Sequence, residues 1–353
     1  MRENFLWEGE LDEAAPEKIY VEPTDLCNLC CSICFRHSWI HEKTGMMDMP
    51  VFLKLCRELE EIPSVKEVFF GGMGEPLFHK SIVEMMEAVP RHLEKKLITN
   101  GNLLTKEMSE KLIEAGLAEL WISLDGFEAS KSERIQTGTS FETVIGNIEA
   151  FNEARKRHAV KLCISFVISE ENVRELSQID RFADDFGVDM LNLSYQIPGK
   201  PVTESSPEDP NAYGGELWDL RVPAGKMRRL SEGKLSPVED QCPFIDQNAV
   251  FVKWNGEVVP CMQLLHSCYT YLYGEKRTIT GFSYGDLHES SLLDCWTGTD
   301  YSHFRKRVKE FYFPFCRHCT GCDDRKENLS DCFLTESPAC GACLWASGRV
   351  FCP

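Results

Sequence analysis

The cysteines constrain this chain more than any other feature. There are 17 in 353 residues; eleven lie from Cys242 onward and six in the longer first part. An odd count fits poorly with a closed disulfide framework. The start, MRENFLWEGELDEAAPEK, has neither the basic opening nor the apolar core of a secretory signal. Outside an oxidising compartment, cysteines at short spacings bind metal more often than they bind each other. The expectation is a cytoplasmic metalloprotein.

Around the cysteines the first half alternates two periodicities. Short apolar runs at Ile19–Val21, Val65–Phe70, Lys96–Thr99, Leu120–Leu124, Leu162–Ile168 and Met190–Ser194 read as strands. Between them Val144, Ile148 and Phe151, and then Val173, Leu176, Ile179, Phe182 and Phe186, recur at helical spacing. Thr105 and Ser140 stand where helices would start and Gly116 where one would stop. Six strands separated by helices predict repeated βαβ units on a parallel sheet. Eight would close a full barrel, so six predict an α/β fold with a partial, open (β/α)6 barrel of the TIM type. The barrel is expected over 1–195. The stretch 196–241, rich in Pro, Gly, Ser and acids, reads as a linker or long loop. A cysteine-rich domain would fill 242–353, with AVFVKWNGEVVPC as a hairpin turning at Asn255-Gly256.

The first strand is followed by CNLCCSIC, which contains Cys27-x-x-x-Cys31-x-x-Cys34. Three thiolates on one short loop can hold three irons of a [4Fe–4S] cluster and leave the fourth iron open. Pairing Cys27/Cys30 and Cys31/Cys34 on zinc is the competing reading, but with no spacer between the pairs a tetrahedral site would be cramped. Cys30 is then a non-ligand.

This loop resembles the signature of the radical SAM superfamily, whose open iron chelates S-adenosylmethionine (SAM) and whose reduced cluster releases a 5′-deoxyadenosyl radical. Ile33 departs from the aromatic residue usual before the last cysteine, though it can still offer adenine an apolar contact. Gly71-Gly72-Met73-Gly74-Glu75-Pro76 is similar to the family's GGxGEP loop, which binds the methionyl amino group. The resemblance thus implies SAM-site roles for Gly72, Gly74 and Glu75. Thr99-Asn100-Gly101 and Ser123-Leu124-Asp125-Gly126 resemble the segments that place Asn100, Ser123 and Asp125 near the ribose. Arg134 lies where relatives hold the SAM carboxylate.

The tail is similar to the SPASM extension of radical SAM enzymes, which carries auxiliary [4Fe–4S] clusters. Two such clusters need eight thiolates, and Cys242, Cys261, Cys316, Cys319, Cys322, Cys332, Cys340, Cys343 and Cys352 are the candidates. The spacing CRHCTGCDDRKENLSDC…CGACLWASGRVFCP departs from the usual SPASM pattern, so the division between clusters is open. Zinc ribbons are the competing reading. Cys56, Cys163, Cys268 and Cys295 read as core thiols. CFRHSW, VKWNGEVVPCMQLLHS and the C-terminal segment resemble the branch of tungsten cofactor oxidoreductase maturases.

A formal charge of −18 argues against nucleic acid as a partner, and no apolar run nears the ~20 residues of a membrane span. The resemblance implies a reducing partner such as ferredoxin or flavodoxin, and a tungsten-containing oxidoreductase or its pterin cofactor as the object of maturation. A peptide or protein maturase making a thioether or formylglycine is the alternative within the chemistry. A zinc-stabilised scaffold without catalysis is the alternative outside it. His37, His41 and His266 read as structural or solvated, Glu58, Glu60 and Glu61 as a solvated helix face, and Trp121 and Trp254 as core. Tyr269, Tyr271 and Tyr273 read as one face of a strand.

Overall fold

The computed structural model describes residues 11–12, 14–198, 227–228, 241–272, 275–316, 319, 321–334 and 338–353. The connection expected at 196–241 therefore lies almost wholly outside the described residues, as does Tyr273.

Six strands alternate with helices through the first half. They are β1 (Lys18–Val21), α1 (Met49–Leu59), β2 (Glu67–Phe70), α2 (Ile82–Ala88), β3 (Glu94–Thr99), α3 (Lys106–Glu114) and β4 (Leu117–Ser123), then α4 (Ala129–Ile135), α5 (Phe141–Arg155), β5 (Lys161–Ile168), α6 (Ile179–Asp185) and β6 (Met190–Tyr195). Neighbours pair in parallel and in sequence order from β1 to β6. The helix signals act as expected: the Thr105 hydroxyl accepts from Met108 N–H, and Ser140 does the same for Thr143. Gly116 ends the α3 segment at φ +91°, a left-handed conformation that a side chain would resist. The 173–186 stretch begins as a 3₁₀ turn over Val173–Gln178 before α6 continues it.

Past the barrel come β7 (Met227–Arg228), α7 (Pro243–Asp246), β8 (Ala249–Val252), β9 (Glu257–Val259), β10 (Cys268–Leu272), β11 (Glu275–Ile279), β12 (Gly285–Asp286), α8 (Leu292–Thr297) and α9 (Thr299–Lys309). The hairpin does turn at Asn255-Gly256, with Gly256 at φ +91°. Its first strand, β8, pairs parallel with β1, so the hairpin continues the barrel sheet instead of standing apart. Tyr20 stacks on Phe251 across that seam at 4.2 Å. Strands β10 and β11 form a separate antiparallel ribbon.

The C-terminal segment ties the two halves together. Tyr195 N–H donates to Arg349 O, Phe351 N–H to Ser194 Oγ, and Asn192 Nδ2 to Phe351 O, all at β6. Two residues further on, Pro353 O accepts from Tyr20 Oη at 2.6 Å and Lys18 Nζ at 3.2 Å, both on β1. In a flat sheet, strands five steps apart would be separated by roughly 24 Å. Two residues of chain reach about 7 Å. The sheet must therefore curl so that β1 and β6 face each other, as a partial barrel requires, and the strap 349–353 crosses its inside.

The core under the sheet is apolar and dense, with Val21, Phe70, Leu97, Trp121, Ile164 and Phe166 fully buried. At the N-terminal end of the strands, buried Lys96 pairs with Glu67 and with Glu119, and Lys18 with Glu67. Cys56, Cys163, Cys268 and Cys295 are buried, as the core reading expects. No helix among the described residues is long and apolar enough to cross a membrane.

Candidate functional site at the strand ends

Because β1 to β6 are parallel, the loops after them share one end of the sheet. The cysteine loop follows β1 and leans on the segment after α4: Cys30 N–H donates to Thr137 O and Ser32 N–H to Ile135 O. Within the loop, Cys34 N–H donates to Cys31 O, and the His37 ring meets Cys31 O at 2.9 Å. Cys27, Cys31 and Cys34 are half-buried on this one short loop, while Cys30 is exposed. Burial pushes the Cys31 thiol up first, and negative charge on Cys34, Asp125 and Cys27 adds to it. Three half-buried thiols that oppose one another's ionisation fit a metal group, whose positive charge would favour the thiolates. Asn100 Nδ2 donates to Cys27 Sγ at 3.8 Å and to Asn28 Oδ1 at 2.9 Å, joining the third strand end to this loop.

The Gly71–Pro76 turn packs directly on the cysteine loop. A Cβ on Gly74 would stand 2.2 Å from Thr24 O, and one on Gly72, at φ +148°, 2.6 Å from Glu22 Cγ. Glu75 N–H donates to Leu26 O. The Glu75 carboxylate is 2% exposed and accepts from Leu77 N–H, Thr99 Oγ1–H and Asn100 N–H. Burial nevertheless raises its pKa to about 7. It is thus spent on holding the second and third strand ends together. Asp125, 4% exposed, accepts from Val167 N–H and is likewise raised by burial to about 7. Ser123 ends β4, where its carbonyl accepts from Gln136. Ile33 is half-buried beside the last cysteine. Arg134, in the last turn of α4, is 61% exposed and pairs with Glu171 at 2.9 Å.

Two acids escaped the sequence reading, Glu22 buried and Glu42 half-buried. Glu22 accepts from Met73 N–H and meets the His266 ring at 3.0 Å; the other ring nitrogen faces Glu42 at 3.2 Å. Trp39 stacks on His266 at 4.1 Å. His266 is structural, but as a buttress: it ties the ribbon side of the tail to the glycine turn. A carboxylate directly after an apolar strand, at the end where ligands gather, was the available signal for Glu22.

In the tail four thiols share one place. Cys242, Cys261, Cys340 and Cys343 line one small cavity together with Phe244 and Gln263. Burial drives Cys261 well up, and Cys242, Cys343 and Cys340 press on it further. Cys316 is pushed to about 11 by burial, with Cys332 and Cys319 adding to it, and Cys332 is raised by burial and then by Asp331, Cys322 and Cys319. Cys352 sits on the strap, where its Sγ accepts from Trp345 Nε1 at 3.3 Å. Among the described residues no three Cys, His, Asp or Glu side chains converge as one small ion would need. Four thiols around one cavity match the donor set of a [4Fe–4S] cluster, which takes four thiolates.

A curated relative from Pyrococcus furiosus, the tungsten-containing aldehyde ferredoxin oxidoreductase cofactor-modifying protein, is 31% identical over 95% of this chain and 96% of its own. The chain belongs to the radical SAM superfamily. The superfamily model matches residues 21–183, and that of the SPASM iron-sulfur cluster-binding domain matches 242–323. The PqqA peptide cyclase of Granulibacter bethesdensis is 23% identical over 90% of this radical SAM chain and 82% of its own. The solved structure of native anSMEcpe with bound AdoMet shares the fold, with a TM-score of 0.65 at 19% identity, covering 94% of this chain and 95% of that one. The chain is therefore an enzyme of radical SAM type, with [4Fe–4S] and SAM as the implied cofactors, and the scaffold reading falls away.

Proposed function

We propose that this enzyme reductively cleaves SAM to a 5′-deoxyadenosyl radical and uses it in maturing a tungsten-containing oxidoreductase or its pterin cofactor. The 31% identity across nearly the whole of the Pyrococcus furiosus cofactor-modifying protein carries this reading. The strand-end geometry supports the chemistry. When bound and reduced at Cys27, Cys31 and Cys34, a [4Fe–4S] cluster with an open iron supplies the electron that splits the sulfonium. The chain's own work is placement. Gly72 and Gly74 let backbone approach the methionyl end, and Glu75 fixes the shape of that turn. Asn100, Ser123 and Asp125 line the ribose side; Arg134 exchanges Glu171 for the SAM carboxylate. The sets Cys242/Cys261/Cys340/Cys343 and Cys316/Cys319/Cys322/Cys332 hold two auxiliary clusters, with Cys352 the ninth candidate thiol. A ferredoxin or flavodoxin in the cytoplasm supplies electrons. The barrel, 1–195, holds SAM; the tail, 242–353, faces the substrate.

Two measurements test this. Replacing Cys27, Cys31 and Cys34 together by Ala should abolish 5′-deoxyadenosine formation under dithionite while iron stays in the tail; Cys30→Ala should remain active. Nucleoside production by the triple variant would overturn the cluster assignment. For the biological role, a host lacking this protein should make tungsten oxidoreductase with reduced tungsten and pterin content. An unchanged, fully active oxidoreductase would overturn that role and leave the radical chemistry standing.

A further inference from the structure

Arg277, in β11, is 4% exposed, and among the described residues no carboxylate pairs with it. A guanidinium this deep ordinarily has an anion beside it, because an uncompensated buried charge is strongly destabilising. Arg277 instead donates to three carbonyls: Nε to Arg325 O at 2.8 Å, Nη1 to Ala342 O at 3.1 Å and Nη2 to Glu327 O at 3.2 Å. These engage three of its five N–H donors, and none of the three acceptors carries a negative charge. Their positions are informative. Ala342 lies between Cys340 and Cys343 of the first thiol set, while Arg325 and Glu327 follow Cys322 of the second. The rigid fork therefore spans the loops of both sets. Burial disfavours its charge first of all; negative charge on Cys343, Cys316 and Cys340, and then on Cys268, would favour it.

We infer that Arg277 is the shared counter-cation of the two auxiliary iron–sulfur clusters and holds their reduction potentials up. This rests on the two-set reading above. A [4Fe–4S] centre on four thiolates is doubly negative and becomes triply negative on reduction. A fixed positive charge in a poorly screened interior therefore favours the reduced state. Donation to carbonyls, which cannot ionise, keeps that charge constant.

The test uses full-length protein reconstituted anaerobically, titrated reductively without substrate and followed by electron paramagnetic resonance. Arg277→Gln with a full iron complement should shift the auxiliary signals to more negative potential. At a fixed potential the reduced-to-oxidised ratio should fall about tenfold, about 59 mV for a one-electron couple. Arg277→Lys should restore most of the shift. Full-iron Arg277→Gln with unchanged auxiliary potentials would overturn the inference. So would Arg277→Lys shifting as far as Arg277→Gln. If Arg277→Gln fails to retain iron, the Lys variant decides: potentials near wild type support the inference, and lowered ones overturn it. Wild-type protein with only about four irons per chain would instead overturn the two-set reading, and this inference with it.

Discussion

Gly74→Ala is the sharpest test of how the SAM turn is built. The added methyl carbon would lie 2.2 Å from Thr24 O and 2.6 Å from Leu26 O. Ordinary carbon–oxygen contact is at roughly 3.3 Å, so one loop must retreat by about 1 Å. Both obstacles are backbone atoms in the segment leading to Cys27, so no side chain can swing aside. Overpacking of this kind costs about 1–3 kcal/mol. A displacement of about 1 Å near a reacting centre can lower a rate about a hundredfold. Gly146→Ala is the control, since a Cβ there, within α5, meets nothing within 4 Å. It should stabilise the fold by about 0.5–1 kcal/mol through helix propensity. Thermal unfolding and 5′-deoxyadenosine formation under dithionite should therefore diverge: lower Tm and about a hundredfold less product for Gly74→Ala, higher Tm and unchanged product for Gly146→Ala. Wild-type turnover and Tm in Gly74→Ala would refute the close approach of the two loops.

Arg134→Ala should weaken SAM binding by about ten- to a hundredfold at unchanged iron content, the worth of a charge-assisted hydrogen bond; unchanged affinity would reduce Arg134 to a surface partner of Glu171. Burial raises the folded pKa of both Glu75 and Asp125 to about 7, so their ionisation opposes folding. Their contribution to metal-free stability should be full below about pH 4, decline up to about pH 7 and stay flat above it. In Asp125→Asn the decline, read by denaturant titration across that range, should be shallower, and an identical slope would contradict the burial argument. Cys340→Ala/Cys343→Ala and Cys319→Ala/Cys332→Ala should each lower iron from about twelve to about eight per chain. A drop to about four in either variant would mean that the sets are interleaved.

Local patterns were legible in the sequence because they are written in neighbouring residues. Six strands, the Thr105 and Ser140 caps and the turn at Asn255-Gly256 follow from periodicity and turn chemistry alone. The three cysteines and the glycine turn were visible for the same reason. What could not be read was pairing at long range. Nothing near Ala249 says that β8 will add to β1, so the hairpin is legible in the sequence but its place in the barrel sheet is not. The division of the tail thiols was equally hidden: Cys242 and Cys343 are a hundred residues apart, and only the folded chain joins them around one cavity. His266 looked unremarkable by composition, yet it bridges Glu22 and Glu42.

The strap 349–353 has a consequence for how the chain is made. During synthesis β1 to β6 emerge well before the residues that β1 and β6 finally hold. A nascent chain extending to residue 195 has β1 still awaiting β8, and Lys18 and Tyr20 still awaiting Pro353. Such a species exposes unpaired strand edge and unfilled interior, the surface on which chains associate wrongly. Contacts across more than 300 residues of sequence are also the slowest to form, since loop closure precedes any reward. Completion of the barrel thus waits until residues 349–353 have been made. The segment that crosses the barrel is continuous with Cys340 and Cys343, so one stretch of chain brings both the strap and two tail thiols to their places.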